Sequence, residues 1–195
     1  MHNTGSKRAK QLAATMMLVT LCGGAQAADS YSLSVLYGKK YLNDWKPIDS
    51  QSEFGVGMTF LPPAWPFIGV VNYLRSKDSG TDTTKSPPEK HSGQTAELNF
   101  GVRKNLTDEA IKVFAEGGLA YFSAKYKIVP VAGETRRDSG SSLGLWLGAG
   151  VDVMVNNSIS VGGLIRLSKG RDMEPSIGGT HFNLYATYHF QLGVQ

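Results

Sequence analysis

The feature that most constrains this chain is an alternation of apolar and polar residues that persists along unusually long segments. From Ser142 to Val155 every second side chain is apolar, and the same rule holds from Phe182 to Phe190 near the end of the chain. A period of two is typical of β-strands with one apolar face. No stretch after Ala28 shows a convincing helical period. The sequence therefore predicts an all-β protein.

The alternating segments number eight, and polar connections separate them. Long connections alternate with short ones, and the longest, 76–92, is rich in Ser, Thr, Lys and Pro, which predicts a mobile loop. The third segment is apolar on both faces, so its orientation stays open. The segments are Tyr31–Gly38, Ser52–Phe60, Phe67–Arg75, Gly93–Arg103, Lys112–Tyr126, Ser142–Val155, Ser158–Ser168 and Phe182–Phe190.

The length of these segments favours a membrane barrel. Strands in globular proteins usually have about five or six residues, whereas a strand that crosses a membrane needs about 9–11. Closing the sheet pairs every backbone group, as lipid requires. We therefore predict an eight-stranded antiparallel up-and-down transmembrane β-barrel, with Phe182, Tyr188 and Phe190 in aromatic girdles. The alternative is a soluble lipocalin-like ligand-binding barrel, whose apolar residues would face a lumen that charged residues occupy.

The first residues have the three parts of a secretory signal peptide. A basic region at 7–10 precedes an apolar run, and an A-x-A cleavage pattern ends at Ala27. We predict a signal peptide at 1–27 and the barrel domain at 28–195. Cleavage removes the single cysteine, Cys22, and three basic residues, and lowers the net charge from +4 to about +1. This charge balance does not favour nucleic-acid binding.

Four stretches carry a resemblance to a known family: "AELNFGVRKNL", "VFAEGGLAYF", "SLGLWLGAGVDVMVNNSISVGGLIRLSKG" and "THFNLYATYHF". The chain resembles the small eight-stranded outer-membrane β-barrels of the opacity-protein and OmpA-like transmembrane-domain type. The resemblance implies a monomer in the outer membrane, with a last strand that resembles the signal read by the outer-membrane assembly machinery. The chain departs from that signal, because "QLGVQ" follows Phe190 where the aromatic residue usually comes last.

The resemblance specifies a fold rather than an activity. We predict a structural or surface-interaction role without a wide pore, and two alternatives stay open. One is a narrow channel for small solutes or ions. The other is a lipid A-modifying enzyme, because some barrels of this size are deacylases with a His-x-Ser pair. Here Arg166 stands where the histidine would be, although His181 on the next strand could reach Ser168. We expect no enzymatic activity and no cofactor.

Charged residues at mid-strand fall on the face that the alternation turns away from lipid. An eight-stranded barrel is filled by its own side chains, and an unpaired buried charge is costly. We therefore predict that these charges pair across the lumen as a structural network, the alternative being a narrow polar or proton path. The predicted network consists of Glu97, Arg103, Glu116, Asp152 and Arg166.

Histidines and loop arginines are the remaining candidates for binding. His91 is isolated in the longest loop, and His181 and His189 are too far apart on one strand to share a metal, so we expect no metal site. Arg136 and Arg137, in the charged loop after the fifth segment, are candidates for contact with lipopolysaccharide phosphates, since guanidinium groups pair well with phosphate. The outer loops could bind an extracellular ligand or be solvated with no fixed partner.

Overall fold

The computed structural model describes residues 30–43, 45–62, 65–107, 110–131, 134–171 and 177–190. The predicted signal peptide and Cys22 lie outside the described residues. Eight β-strands, each of 12–19 residues, make up most of the described chain. They are β1 (Ser30–Leu42), β2 (Ser50–Leu61), β3 (Ile68–Asp82), β4 (Glu89–Asn105), β5 (Ile111–Val129), β6 (Arg136–Met154), β7 (Ile159–Gly170) and β8 (Gly179–Phe190).

Each strand pairs antiparallel with its neighbours in sequence, and β1 also pairs with β8, which closes the sheet into a barrel. The closing register runs from Tyr31 opposite Phe190 to Leu42 opposite Gly179. Closure leaves no strand edge unpaired. The predicted eight-stranded up-and-down barrel is confirmed. Within the described ranges, no helix is long and apolar enough to cross a membrane.

The seven connections between strands are divided between the two ends of the barrel. The connections after β2, β4 and β6 lie at the end where β1 begins and β8 ends, which we call the turn end. The connections after β1, β3, β5 and β7 lie at the opposite end, which we call the hairpin end. The connections at the hairpin end are residues 43–49, 83–88, 130–135 and 171–178, and those at the turn end are residues 62–67, 106–110 and 155–158.

A belt of apolar side chains covers the outside of the barrel. On β6, Leu143, Leu145 and Leu147 are 63–69 % exposed, while their neighbours Gly144, Trp146 and Gly148 face inward. On β5 the belt covers residues 111–121, which is about 25 Å of barrel height at a strand tilt of about 40°. This height suits the hydrocarbon layer of an outer membrane. The apolar face is therefore the outer face, and a lipocalin-like arrangement is wrong.

The orientation of β3, which the sequence leaves open, is settled by burial. Val70, Asn72 and Leu74 are buried in the lumen, while Tyr73 and Arg75 are exposed on the outer face. Pairing with β2 and β4 imposes this choice, because Tyr73 lies opposite outward-facing residues of both neighbours. Register, rather than the residues of β3 themselves, decides which of its two apolar faces meets lipid.

Strands β3 to β6 are longer than the sequence predicts. The stretch 76–92, expected to be a mobile loop, is mostly strand, because β3 continues to Asp82 and β4 begins at Glu89. In the same way β5 continues to Val129 and β6 begins at Arg136. The predicted boundaries mark where apolar alternation stops, which is the edge of the lipid belt. A backbone ladder requires only a partner strand, so both hairpins continue beyond the belt with polar side chains.

The alternation predicts a polar lumen. The structure instead shows a lumen that also contains two apolar clusters. The larger one extends inward from the hairpin end, where Trp45, Ile48 and Ile177 reach in from the connections. They pack with Leu42, Val70, Ala120, Phe122, Ala124 and Trp146. The smaller cluster consists of Leu36, Leu74, Phe114, Leu164 and Tyr185. An eight-stranded barrel has room for side chains and little else, so these residues and the polar ones between them fill it.

Candidate functional site

A polar cluster built from five strands occupies the lumen toward the hairpin end, and we call it the histidine cluster. Lys40 on β1 donates a hydrogen bond to Glu97 on β4. Nδ1 of His181 on β8 lies 2.9 Å from both carboxylate oxygens of Glu53 on β2. Its Nε2 lies 2.9 Å from Oγ of Ser168 on β7 and 3.4 Å from Oε1 of Glu97. All five side chains are buried.

Two members of the histidine cluster, Lys40 and Glu53, are absent from the predicted charge network. The apolar alternation of the first segment ends at Gly38, which places Lys40 in a connection; β1 instead continues to Leu42, and Lys40 faces inward. Glu53 alternates with the outward-facing Phe54, so its inward position was readable from the sequence. The same parity rule that selects Glu97 would have found it.

A second polar cluster, which we call the arginine cluster, centres on Glu116. Nε and Nη2 of Arg103 lie 3.0 and 2.8 Å from Oε2 of Glu116, and Nη2 of Arg166 lies 2.9 Å from Oε1. Arg103 and Glu116 face each other in the β4–β5 register. The guanidinium groups also lie over aromatic rings, that of Arg103 3.8 Å from the Phe114 centroid and that of Arg166 4.4 Å from the Trp146 centroid.

The five residues of the predicted network all face the lumen, but they do not form one network. Glu97 belongs to the histidine cluster. Arg103, Glu116 and Arg166 form the arginine cluster. Asp152 joins neither, because it has no ion-pair partner and its Oδ1 has no hydrogen-bond partner among the residues that the structure describes.

Charge balance defines the state of His181. The histidine cluster contains two carboxylates and one lysine, so a protonated imidazole makes it neutral. Each ring nitrogen of His181 lies near a carboxylate, of Glu53 at Nδ1 and of Glu97 at Nε2, as expected of an imidazolium with two N–H donors. A buried net charge would be costly. We therefore expect a protonated His181, with the Ser168 hydroxyl donating to Glu97 at 3.3 Å.

Ser168, His181 and Glu53 have the connectivity of a nucleophile, a base and an orienting acid. A protonated His181 cannot take the proton of Ser168, however. Ser168 is also buried. The arrangement therefore fits a structural hydrogen-bond network better than a catalytic one.

Replacing Ser168 with alanine is expected to leave lipid A acylation unchanged, because the hydroxyl serves only the lumen network. Mass spectrometry of lipid A from cells with and without the variant is the measurement. His181→Ala is the companion variant, and we expect it to destabilise the barrel because it leaves the buried carboxylate of Glu53 without its positively charged partner. Acyl chains that change in number when Ser168 alone is altered would reinstate the enzyme alternative.

His91 is part of the lumen packing rather than an isolated loop residue. It is buried on β4, and its Nδ1 is hydrogen-bonded to the hydroxyl of Tyr126, whose ring contacts Trp45 edge-on. The loop expectation is wrong because β4 begins before His91. No group of three or more His, Cys, Asp or Glu residues in the described part of the chain is arranged to hold a metal ion.

Comparison with known proteins identifies the barrel. The family model for the outer membrane protein beta-barrel domain matches residues 12–193, nearly the whole chain. The chain belongs to this family. No curated protein matches its sequence significantly.

Solved outer-membrane barrels share the fold at low sequence identity. A major outer membrane protein from Thermus thermophilus is 14% identical with a TM-score of 0.62, over 84% of this chain and 100% of that chain. Ail, the attachment invasion locus protein of Yersinia pestis, is 13% identical with a TM-score of 0.56, over 84% and 99%. OprG from Pseudomonas aeruginosa is 10% identical with a TM-score of 0.54, over 85% and 98%. These similarities support the shared barrel fold.

The family gives the two ends of the barrel a meaning. Outer-membrane barrels have short turns in the periplasm and longer loops outside the cell. The protein is therefore located in the outer membrane, and we expect its hairpin end to be extracellular and its turn end to be periplasmic. The two hairpins that project beyond the lipid belt, β3–β4 and β5–β6, belong to the extracellular side.

Basic residues lie on six of the eight strands at and beyond the outer edge of the lipid belt, and we call them the basic ring. In the described strands, the charged residues on outward-facing positions of the extracellular half are all lysine or arginine. The acidic residues of these strands, such as Asp78 and Asp138, occupy the alternate positions. The basic ring comprises Lys39, Arg75, Lys77, Lys90, Lys125, Lys127, Arg137 and Lys169.

A groove of about 350 Å³ on the outer surface of β3 to β6 is lined by four members of the basic ring and by one acidic residue, Asp138. The four basic residues are Lys77, Lys125, Lys127 and Arg137. Lys127 and Arg137 face each other in the β5–β6 register. The sequence places Arg136 and Arg137 in a loop. In the structure they are the first two residues of β6. Only Arg137 lies on the grooved face, since Arg136 is on the opposite face of the strand.

The tip of the β3–β4 hairpin is organised by short-range contacts outside the membrane. The hydroxyl and the backbone N–H of Thr84 donate to Oδ1 of Asp82 at 2.6 and 3.0 Å, and these bonds lower the pKa of Asp82. Lys85 donates to Glu89 at 2.7 Å, which raises the pKa of Lys85 and lowers the pKa of Glu89. The tip therefore keeps its charges at neutral pH.

Proposed function

We propose that this protein is a non-catalytic outer-membrane barrel that interacts with molecules at the cell surface and has no continuous pore. The supporting observation is the filling of the lumen. The histidine cluster, the arginine cluster and the larger apolar cluster occupy it from the extracellular end inward. The parts that remain accessible from outside are the basic ring and the two projecting hairpins. A surface role therefore fits this barrel better than transport through it or catalysis inside it.

The protein is expected to show no stable conductance steps in planar lipid bilayers at neutral pH. We expect the ion pairs and packed aromatic side chains of the lumen to block the passage of water and ions. A porin of known conductance, reconstituted in the same bilayers, is the control. Regular steps that scale with salt concentration would favour the narrow-channel alternative.

The basic ring supports contact with lipopolysaccharide, with Arg137 as one of the contacting residues. The ring begins where the lipid belt ends, near the level where an outer leaflet carries its phosphate groups, and it extends onto the projecting hairpins. Lysine and arginine pair well with phosphate, and acidic residues are missing from the outward positions there. Ail of Yersinia pestis, a barrel of the same fold, was crystallised with the heparin analogue sucrose octasulfate, which supports an affinity of such surfaces for polyanions.

Changing Lys125, Lys127 and Arg137 together to glutamine is expected to weaken binding to lipopolysaccharide about tenfold, because exposed ion pairs contribute at most about 1 kcal/mol each. Binding to nanodiscs with and without lipopolysaccharide, at low and high salt, is the measurement. Lys104→Gln is the matched control, since Lys104 is an outward-facing cation at the periplasmic end. Equal binding by the triple variant and the control would contradict the proposed contact.

We also propose that residues 1–27 are removed on export, that residues 28–195 form the mature barrel, and that assembly machinery inserts it as a monomer. The alternating residues of β8 and its pairing with β1 support recognition of the last strand. Mass spectrometry of the protein from outer membranes is expected to find an N-terminus at Ala28. Sedimentation in detergent is expected to give the mass of one chain, and a larger species would contradict the monomer.

A further inference from the structure

The proposed surface role does not involve a cavity that lies at the periplasmic end of the barrel. This cavity, which we call the periplasmic cup, has a volume of about 660 Å³ and is formed by the ends of the strands. Pockets that bind small molecules usually have volumes of about 300–1,000 Å³. The charged residues that line the cup are Arg103, Lys112 and Asp152, and amide, hydroxyl and imidazole groups, such as those of Asn105, Thr187 and His189, surround them.

Asp152 is the group in the cup that most needs a partner. Its side chain is 7% exposed, and Oδ1 has no hydrogen-bond partner among the described residues. The Tyr185 hydroxyl is shared between the Asp152 carboxylate and the carbonyl of Val151, which lies 3.0 Å away, and it supplies no positive charge. Lys112 is opposite Asp152 in the β5–β6 register, yet the two form no ion pair. Buried polar groups are nearly always satisfied, so a missing cationic partner would explain this carboxylate.

The opposite charge is also present in the cup. In the arginine cluster, one carboxylate, that of Glu116, serves two guanidinium groups, which leaves one positive charge in excess. Arg103 is the arginine of this pair that is partly exposed, at 18% of its side chain, while Arg166 is fully buried. Arg103 and Lys112 therefore give the cup a cationic side that can accept a carboxylate.

We propose that the periplasmic cup binds a small zwitterion of the amino-acid or short-peptide class. Its ammonium group pairs with Asp152, and its carboxylate pairs with Arg103 and Lys112. The hydroxyl and amide groups of the wall satisfy the remaining polar atoms of the ligand. Binding takes place from the periplasm and needs no pore, so the site is independent of the role proposed for the extracellular surface.

Titration of the full barrel with the zwitterionic dipeptide alanyl-alanine tests the site. Saturable shifts of the backbone amide resonances of Asp152 and His189 are expected in micelles. Two capped probes, the N-acetyl dipeptide and the dipeptide amide, each lack one charge and are expected to bind at least about tenfold more weakly. The Asp152→Asn variant is expected to bind alanyl-alanine more weakly by the same factor. Asp138→Asn, which removes an acidic group at the other end of the barrel, is the matched control and keeps full affinity. Shifts that do not saturate, or equal affinity for all three probes, would overturn the proposal.

A second measurement distinguishes a ligand site from an internal ion pair between Asp152 and Lys112. Without ligand, Asp152→Asn and Lys112→Gln are expected to affect the free energy of unfolding independently, so that the double variant shows the sum of the two effects. The dipeptide is expected to stabilise the original protein and neither variant. A strong coupling between the two positions, together with no stabilisation by the dipeptide, would mean that Lys112 is the partner of Asp152 and that the cup holds only water.

Discussion

Replacing Glu116 with glutamine is expected to lower the free energy of unfolding by about 3–5 kcal/mol, the usual cost of removing one partner from a buried ion pair. Glutamine keeps the shape of the side chain but removes the only carboxylate that pairs with Arg103 and Arg166 among the described residues. Arg166 is then left fully buried with no opposite charge beside it. Urea unfolding of the barrel in lipid vesicles, followed by the shift in gel mobility between unheated and boiled samples, measures the loss.

Two further variants make the Glu116 result specific. Glu89→Gln removes a carboxylate from the exposed pair with Lys85 and is expected to leave the stability of the barrel unchanged. Adding Arg166→Met to Glu116→Gln removes the stranded charge and is expected to restore part of the stability. If Glu116→Gln unfolds at the same urea concentration as the original protein, the arginine cluster does not stabilise the barrel.

Trp146→Ala is expected to cost about 3–5 kcal/mol, as large-to-small substitutions of buried aromatic residues do. The side chain is 1% exposed, and its Nε1 donates to the carbonyls of Phe100 and Leu119 at 3.3 and 3.0 Å. The fit is close enough that a Cβ added at Gly101 would lie 2.7 Å from Cζ2 of the ring. Alanine therefore leaves a cavity, removes the donor to both carbonyls, and removes the ring beneath Arg166.

Trp65→Ala is the matched control for Trp146→Ala, because it makes the same chemical change at a side chain that is 58% exposed in the β2–β3 connection. The same unfolding measurement is expected to show a much smaller loss for Trp65→Ala. Equal losses for the two variants would mean that the lumen around Trp146 is loosely packed. In that event, the filled lumen would no longer support a barrel without a pore.

The lumen illustrates how far parity along a strand can predict a site. Parity places Glu97, Arg103, Glu116, Asp152 and Arg166 inside, and all of them face the lumen. The pairing partner of each charge depends instead on which strands lie opposite each other across the barrel. Parity along one strand carries no information about the distances between side chains of different strands. Glu97 therefore pairs with Lys40 rather than with an arginine, and Asp152 is left outside both clusters.

The extracellular half shows a different limit. Apolar alternation indicates which part of each strand contacts lipid, because only contact with lipid requires an apolar outer face. Beyond the belt the backbone pairs in the same way with polar residues outward, so hydrophobicity cannot mark the end of the strand. His91 and Arg137 are consequently strand residues where a loop is expected, and the basic ring becomes visible only once the long strands fix which side chains point outward.

The amino-acid sequence by itself determined the all-β class, the eight strands, the lipid-facing side of every strand except β3, and the location in the outer membrane. Each of these depends on period-two alternation and strand length, which are local properties of the chain. Only the tertiary structure decided the two polar clusters, the apolar filling of the extracellular mouth, the basic groove and the periplasmic cup. These features depend on register and closure, which bring together side chains from strands far apart in sequence, and no local pattern specifies such distances.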